Sequence, residues 1–186
     1  IQVLSGNRFD FGVGISPWEE DFAVCNVPWE KRGKRFDEQI DILRGLESGE
    51  FFGYAGEMHD MPANKMNPVP SEPTSLLIGG HAEPALKRAA RTGDGWMCAG
   101  ADMQQLGAYI GRINQLRQEY GTADRPFRVF TTGQDAFTRE GIEQLENLGV
   151  TDVVIAFRDV YAMEPDKPLD EKIAMLNWYA GEFIGV

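Results

Sequence analysis

The sequence predicts an α/β fold built on a parallel sheet. Two observations predict it: short apolar or β-branched runs alternate with amphipathic helical stretches, and glycines (Gly49, Gly93, Gly149) stand where those stretches stop. A strand, a helix and a further strand in succession imply a right-handed crossover and parallel pairing. Five strand–helix units can be traced along the chain. Two architectures accept that pattern, an open doubly wound sheet and a closed barrel. With 186 residues, 42% hydrophobic and 25% charged, one globular domain over 1–186 is expected.

Each element has its own signal. Ile1–Leu4 followed by Ser5-Gly6 reads as the last turn of a helix and its glycine stop, so an element is expected to have preceded it. Residues 8–15 alternate, with Phe9, Phe11, Val13 and Ile15 on one face and Arg8, Asp10, Gly12 and Gly14 on the other. Residues 16–27 read as a loop. Pro28 suits a first helical turn, and Trp29, Phe36, Ile40, Leu43 and Leu46 recur at helical spacing to about Ser48. Residues 50–61 read as a hairpin around Gly53 and Gly56, and the four prolines of 62–73 as an extended linker. Leu76-Leu77-Ile78 is a buried strand, and Pro84–Thr92 a helix with Leu86, Ala89 and Ala90 inward. Trp96-Met97-Cys98 is the next strand. Asp102 caps a helix carrying Met103, Leu106, Ile110, Ile113 and Tyr120. A strand over 126–132, a helix capped by Thr138, a strand over 151–157 and a helix over 168–184 complete the chain.

Eighteen basic against 29 acidic residues give a formal charge of −11, which argues against nucleic acid or an acidic membrane as partner. No apolar run spans a bilayer. Cys25 and Cys98 lie in no C-x-x-C pattern, which fits a reduced, cytoplasmic setting. Gly12-Val13-Gly14 supplies half of a dinucleotide fingerprint and lacks its third glycine. No P-loop, Ser–His–Asp order or metal-ligand spacing stands out, His59 reads as structural, and Asp94, which precedes its strand, belongs to the end of the sheet opposite an active site.

Four motifs occur in order: Arg8-Phe9-Asp10-Phe11-Gly12-Val13-Gly14, Pro28-Trp29-Glu30-Lys31-Arg32-Gly33, Leu77-Ile78-Gly79-Gly80, and Ala89-Ala90-Arg91-Thr92-Gly93-Asp94-Gly95-Trp96. Together they resemble the bacterial-luciferase-like flavin and deazaflavin oxidoreductases. The resemblance implies a partial (β/α)8 TIM barrel whose strands are the fourth to the eighth, with the N-terminal units that shape much of the flavin pocket absent. It implies hydride transfer with coenzyme F420, or monooxygenation with FMN, on a small organic substrate. Some FMN-dependent members carry an arginine near the position of Ile15, and its lack here favours F420.

Candidate site residues follow. Gly79-Gly80-His81, between a strand and a helix, is a turn whose backbone N–H groups suit a phosphate. Gly14 and Ile15 end the first strand at the rim where barrel sites form. Arg32 is the family-like phosphate arginine. Trp18 and Arg158 are placed for substrate, while Phe22, Trp29, Thr131 and Thr132 are weaker candidates. A non-catalytic half-barrel that self-associates through open sheet edges and binds a phosphate-bearing ligand is the alternative, and a homo-oligomer is expected in either case.

Overall fold

A computed structural model describes residues 1–158 and 165–185. Five parallel strands form one sheet: β1 (Asp10–Val13), β4 (Ser75–Gly79), β5 (Gly95–Cys98), β6 (Arg128–Thr132) and β7 (Asp152–Val154), in the order β1-β4-β5-β6-β7. A separate antiparallel ribbon pairs β2 (Phe52–Ala55) with β3 (Asp60–Asn64). The helices are α1 (Glu19–Val24), α2 (Arg32–Glu47), α3 (Glu83–Thr92), α4 (Met103–Glu119), α5 (Arg139–Leu148) and α6 (Leu169–Tyr179), the last running on into a π-type turn over Ala180–Ile184. No described helix is long and apolar enough to cross a membrane.

Strand parity divides the sheet into two faces. Leu76, Ile78, Trp96, Cys98 and Val129 face the helices and form the core with Leu86, Ala89, Leu106, Ile110, Ile113, Leu116 and Leu145. Burying each large aliphatic side chain there contributes roughly 1.5–3 kcal/mol. The other face is concave. A Cβ on Gly12 would lie 3.0 Å from the Met97 sulfur, and one on Gly95 would strike Leu77 and Arg128. At the N-terminal end of the strands Arg128 reaches Asp10 on β1 at 2.6 Å and Asp152 on β7 at 2.6 Å. Rows β1 and β6 lie about 14 Å apart along a flat sheet, so the Asp10–Arg128 pair marks a sheet curled into part of a barrel.

The elements follow the sequence pattern, with corrections. The opening residues form a Schellman turn: Asn7 N–H donates to Gln2 C=O at 2.9 Å and Gly6 N–H to Val3 C=O at 3.2 Å, with Gly6 at φ 63°. Residues 16–27, expected as a loop, contain α1, which has no buried residue and hence no apolar period to mark it. The helix expected from Pro28 begins at Arg32, behind Lys31 in the left-handed region at φ 54°. Strand β3 runs through Pro62, which a ribbon edge tolerates because no partner needs its missing N–H. Tyr120 caps α4 and is exposed, while Leu116 takes the inward position. In α6 the expected apolar face is present, yet Leu169, Ile173 and Leu176 are exposed.

Candidate functional site

The C-terminal ends of β1 and β4 meet at two glycines. A Cβ on Gly14 would lie 3.7 Å from the Gly79 carbonyl oxygen, and one on Gly79 would lie 3.6 Å from that of Val13. The register places Val13 beside Ile78 and Gly79 beside Met97, so Gly79 is on the same rim as the ends of β1 and β5. The chain then turns through Gly80 at φ 120°, a conformation open to glycine, and a Cβ there would approach that of Ala85 to 2.9 Å. Ala82 caps α3 without a side-chain hydrogen bond.

Trp96 fixes this turn. Its indole is fully buried and its Nε1–H donates to the Gly80 carbonyl at 2.8 Å. In a trans peptide the C=O and the following N–H point opposite ways. Holding the Gly80 carbonyl toward Trp96 therefore turns the His81 N–H away from the core. Together with the positive end of α3, that arrangement suits an anion. Glu83, in the first turn of α3, is occupied with Arg112 at 2.6 Å and Lys87 at 3.6 Å, and the hydrogen bond from Arg112, with burial opposing, holds its carboxyl below the ordinary range.

His81 is half-buried rather than a solvated loop side chain. It stacks on Tyr109 at 5.1 Å and 10°, meets the edge of Trp96 at 6.1 Å, and places Nε2 3.4 Å from Cys98 Sγ. The sequence did not single out Tyr109, Trp96 or Cys98 for this site. The available signal was a buried tryptophan, whose N–H requires an acceptor.

The remaining candidates are distributed around the rim. Ile15 is half-buried directly after Gly14. The Arg32 guanidinium lies 3.5 Å over the Trp29 ring, which itself meets Phe22 edge-on at 5.0 Å. The carbonyl of the adjoining Gly33 accepts from Arg88 of α3 at 3.2 Å, so the start of α2 is tied to the helix behind the glycine turn. Trp18 is exposed, and its backbone N–H donates to Ser16 Oγ. Arg158 lines a cavity of about 440 Å³ with Phe157, Lys167, Lys172, Met175 and Leu176, and the glycine turn does not border it. Thr131 is buried on the helix-facing side, and Thr132 is exposed at the rim. At the opposite end, Asp94 accepts from Arg44 at 2.7 Å, the Leu76 N–H at 2.9 Å and Arg125 at 3.4 Å, a structural clasp. His59 also serves the fold, its Nδ1 3.2 Å from the buried Glu38 carboxylate. Among the described residues no group of three His, Cys, Asp or Glu side chains is arranged to hold a metal ion.

A curled parallel sheet with a glycine turn opening a helix at its C-terminal rim defines a (β/α)-barrel protein with an anion-suited mouth. The chain belongs to the luciferase-like monooxygenase family, whose model matches residues 1–164. It is 47% identical over 185 residues to an uncharacterized protein of Mycobacterium tuberculosis H37Rv, covering 99% of this chain and 64% of that protein. The chain thus spans less than two thirds of that relative's length. An F420-dependent glucose-6-phosphate dehydrogenase of Amycolatopsis mediterranei is 26% identical over 109 residues, 57% of this chain and 33% of that protein. Among solved structures, an F420-dependent secondary alcohol dehydrogenase in complex with an F420-acetone adduct superposes with a TM-score of 0.67 at 12% identity, covering 83% of this chain and 65% of that one. That likeness shows the shared fold.

Proposed function

We propose that this chain carries the phosphate-holding rim of a luciferase-like oxidoreductase that uses coenzyme F420, with FMN as the alternative, on a small organic substrate. The observation that carries the reading is the Gly14–Gly79 junction leading into the Gly80-His81 turn, whose outward N–H is set by Trp96. The F420-dependent relative in Amycolatopsis supports the choice of coenzyme. The residues present fit such a group: small residues leave space at the rim, and the N–H groups of the turn are suited to a phosphate.

Each residue then has a part. The Gly79–His81 backbone and the His81 ring bind phosphate. Met97 fills the space over Gly12, while Gly14 leaves room at the rim, and Ile15 borders it. Arg32, held over the Trp29 ring, supplies a second cation for the anionic tail. Trp18 and Arg158 meet the substrate from opposite ends of the row of strands. When bound, F420 would supply hydride transfer to or from the substrate, and reduced FMN would supply oxygen activation. The protein's contribution is position and exclusion of water. On the concave face Leu77 and Gly95 are buried and Met97 and Phe130 half-buried, so the space left for a coenzyme lies at the rim around Gly14. The exposed edge of β1 favours the second reading, a half-barrel that associates with itself and binds a phosphate-bearing ligand.

Fluorescence titration with F420 and FMN tests the proposal, on this chain and on the longer mycobacterial relative. Saturable F420 binding that weakens roughly two- to tenfold in His81→Ala, the loss of one hydrogen-bond donor, is the expected result. Binding of neither coenzyme to either protein contradicts it.

A further inference from the structure

We infer that Cys98 is a positioning residue for His81: its thiol proton, donated to Nε2, holds the neutral imidazole with its own proton on Nδ1, and so presents an N–H donor at the Gly79–Ala82 turn. The inference deepens the coenzyme reading and takes the identity of the anion from it, while the tautomer stands on the Cys98–His81 contact and the burial of the thiol.

Three elements build the arrangement. Cys98 ends β5 on the helix-facing side, two residues beyond Trp96, and is 2% exposed. Its sulfur lies 3.4 Å from His81 Nε2. Burial pushes the thiol up, against a smaller opposing effect of the Thr131 hydroxyl, so the sulfur keeps a proton that it can donate. A neutral imidazole has one N–H and one acceptor nitrogen. The contact can form as S–H donating to Nε2 or as Nε2–H donating to sulfur; we assign the first, which sets the stronger acceptor, the imidazole nitrogen, opposite the thiol proton and leaves the ring proton on Nδ1. Tyr109 of α4, stacked at 10°, and the edge of Trp96 fix the plane of the ring. Among the described residues Nδ1 has no hydrogen-bond partner, so the donor is left for a ligand. A phosphate oxygen in front of α3 would then meet both the His81 backbone N–H and the His81 ring N–H.

Nitrogen-15 NMR of histidine-labelled protein at pH 8, without ligand, reads the tautomer directly. The expected result is a protonated Nδ1 for His81 in the wild type, lost in Cys98→Ala and restored in Cys98→Ser, whose hydroxyl can donate. A protonated Nε2 in the wild type overturns the inference without recourse to any variant, as does a tautomer unchanged in Cys98→Ala. Inorganic phosphate titrated against the amide signals of Gly80–Ala82 is the second measurement. Weakening of roughly two- to tenfold in Cys98→Ala, with recovery in Cys98→Ser, supports the positioning role. The expected tautomer pattern with no phosphate response supports the Cys98–His81 pairing and overturns the coenzyme reading instead.

Discussion

At the scale of single residues, the site depends on a backbone conformation more than on reactive side chains. Gly80 sits at φ 120° with Ala85 against it, so Gly80→Ala must move the turn or strain it. A non-glycine residue held in such a region costs about 1–3 kcal/mol. We expect Gly80→Ala to lower the unfolding free energy obtained from urea denaturation by that amount and to weaken phosphate binding, since the N–H of His81 shifts with the turn. Asp94 provides a contrast from the other end of the sheet. Asp94→Ala strips partners from Arg44, Arg125 and the Leu76 N–H. Arg44 keeps Glu47 and the Thr74 carbonyl, and Arg125 reaches water, so the cost falls mainly on the unpaired Leu76 N–H, about 1–3 kcal/mol. Denaturation should register the loss, while phosphate affinity, read at the opposite rim, should stay unchanged.

At the scale of elements, α2 is bound to the β2–β3 ribbon by one buried carboxylate. Glu38 accepts the N–H groups of Glu57, Met58 and His59, each at 2.9 Å. Burial by itself would raise its pKa, but these donors and the His59 ring outweigh it and hold the carboxyl below its ordinary value of 4.5. A depressed carboxyl stabilises the fold above its unfolded value, and that contribution disappears as pH falls through the folded one. Glu38→Gln should therefore be less stable than the wild type at pH 7, and the gap should shrink below pH 4.5, in urea midpoints measured across pH 3–7. This clasp was not legible in the sequence, because Glu38 stands in a polar run, Asp37-Glu38-Gln39, and its donors come from a turn about twenty positions away. The main strands and helices were legible wherever burial imposes a period, as in Leu86-Ala89-Ala90 or Leu106-Ile110-Ile113. Helix α1 was not, since it buries nothing. At the site, the glycine turn could be read from Gly79-Gly80 between a strand and a helix. The Trp96, Cys98 and Tyr109 surround could not, because strand residues that face helices look like ordinary core until the packing is known.

At the scale of the whole molecule, apolar surface stands exposed at both ends of the row of strands and along α6. Phe11 on β1, Val154 on β7 and Leu169, Ile173, Leu176 and Trp178 of α6 are all substantially exposed. Open strand edges and apolar faces of this kind pair with other chains. We expect this chain to sediment as a dimer or larger species at micromolar concentration, and a well-folded monomer would contradict that expectation. The central claim concerns the rim, and amide NMR of the chain titrated with F420 tests it most directly. The account predicts that the signals of Gly14 and of Gly79 through Glu83 move together and saturate. Movement confined to the Arg158 cavity or to the Asp10–Arg128 end, with the glycine turn silent, would contradict it.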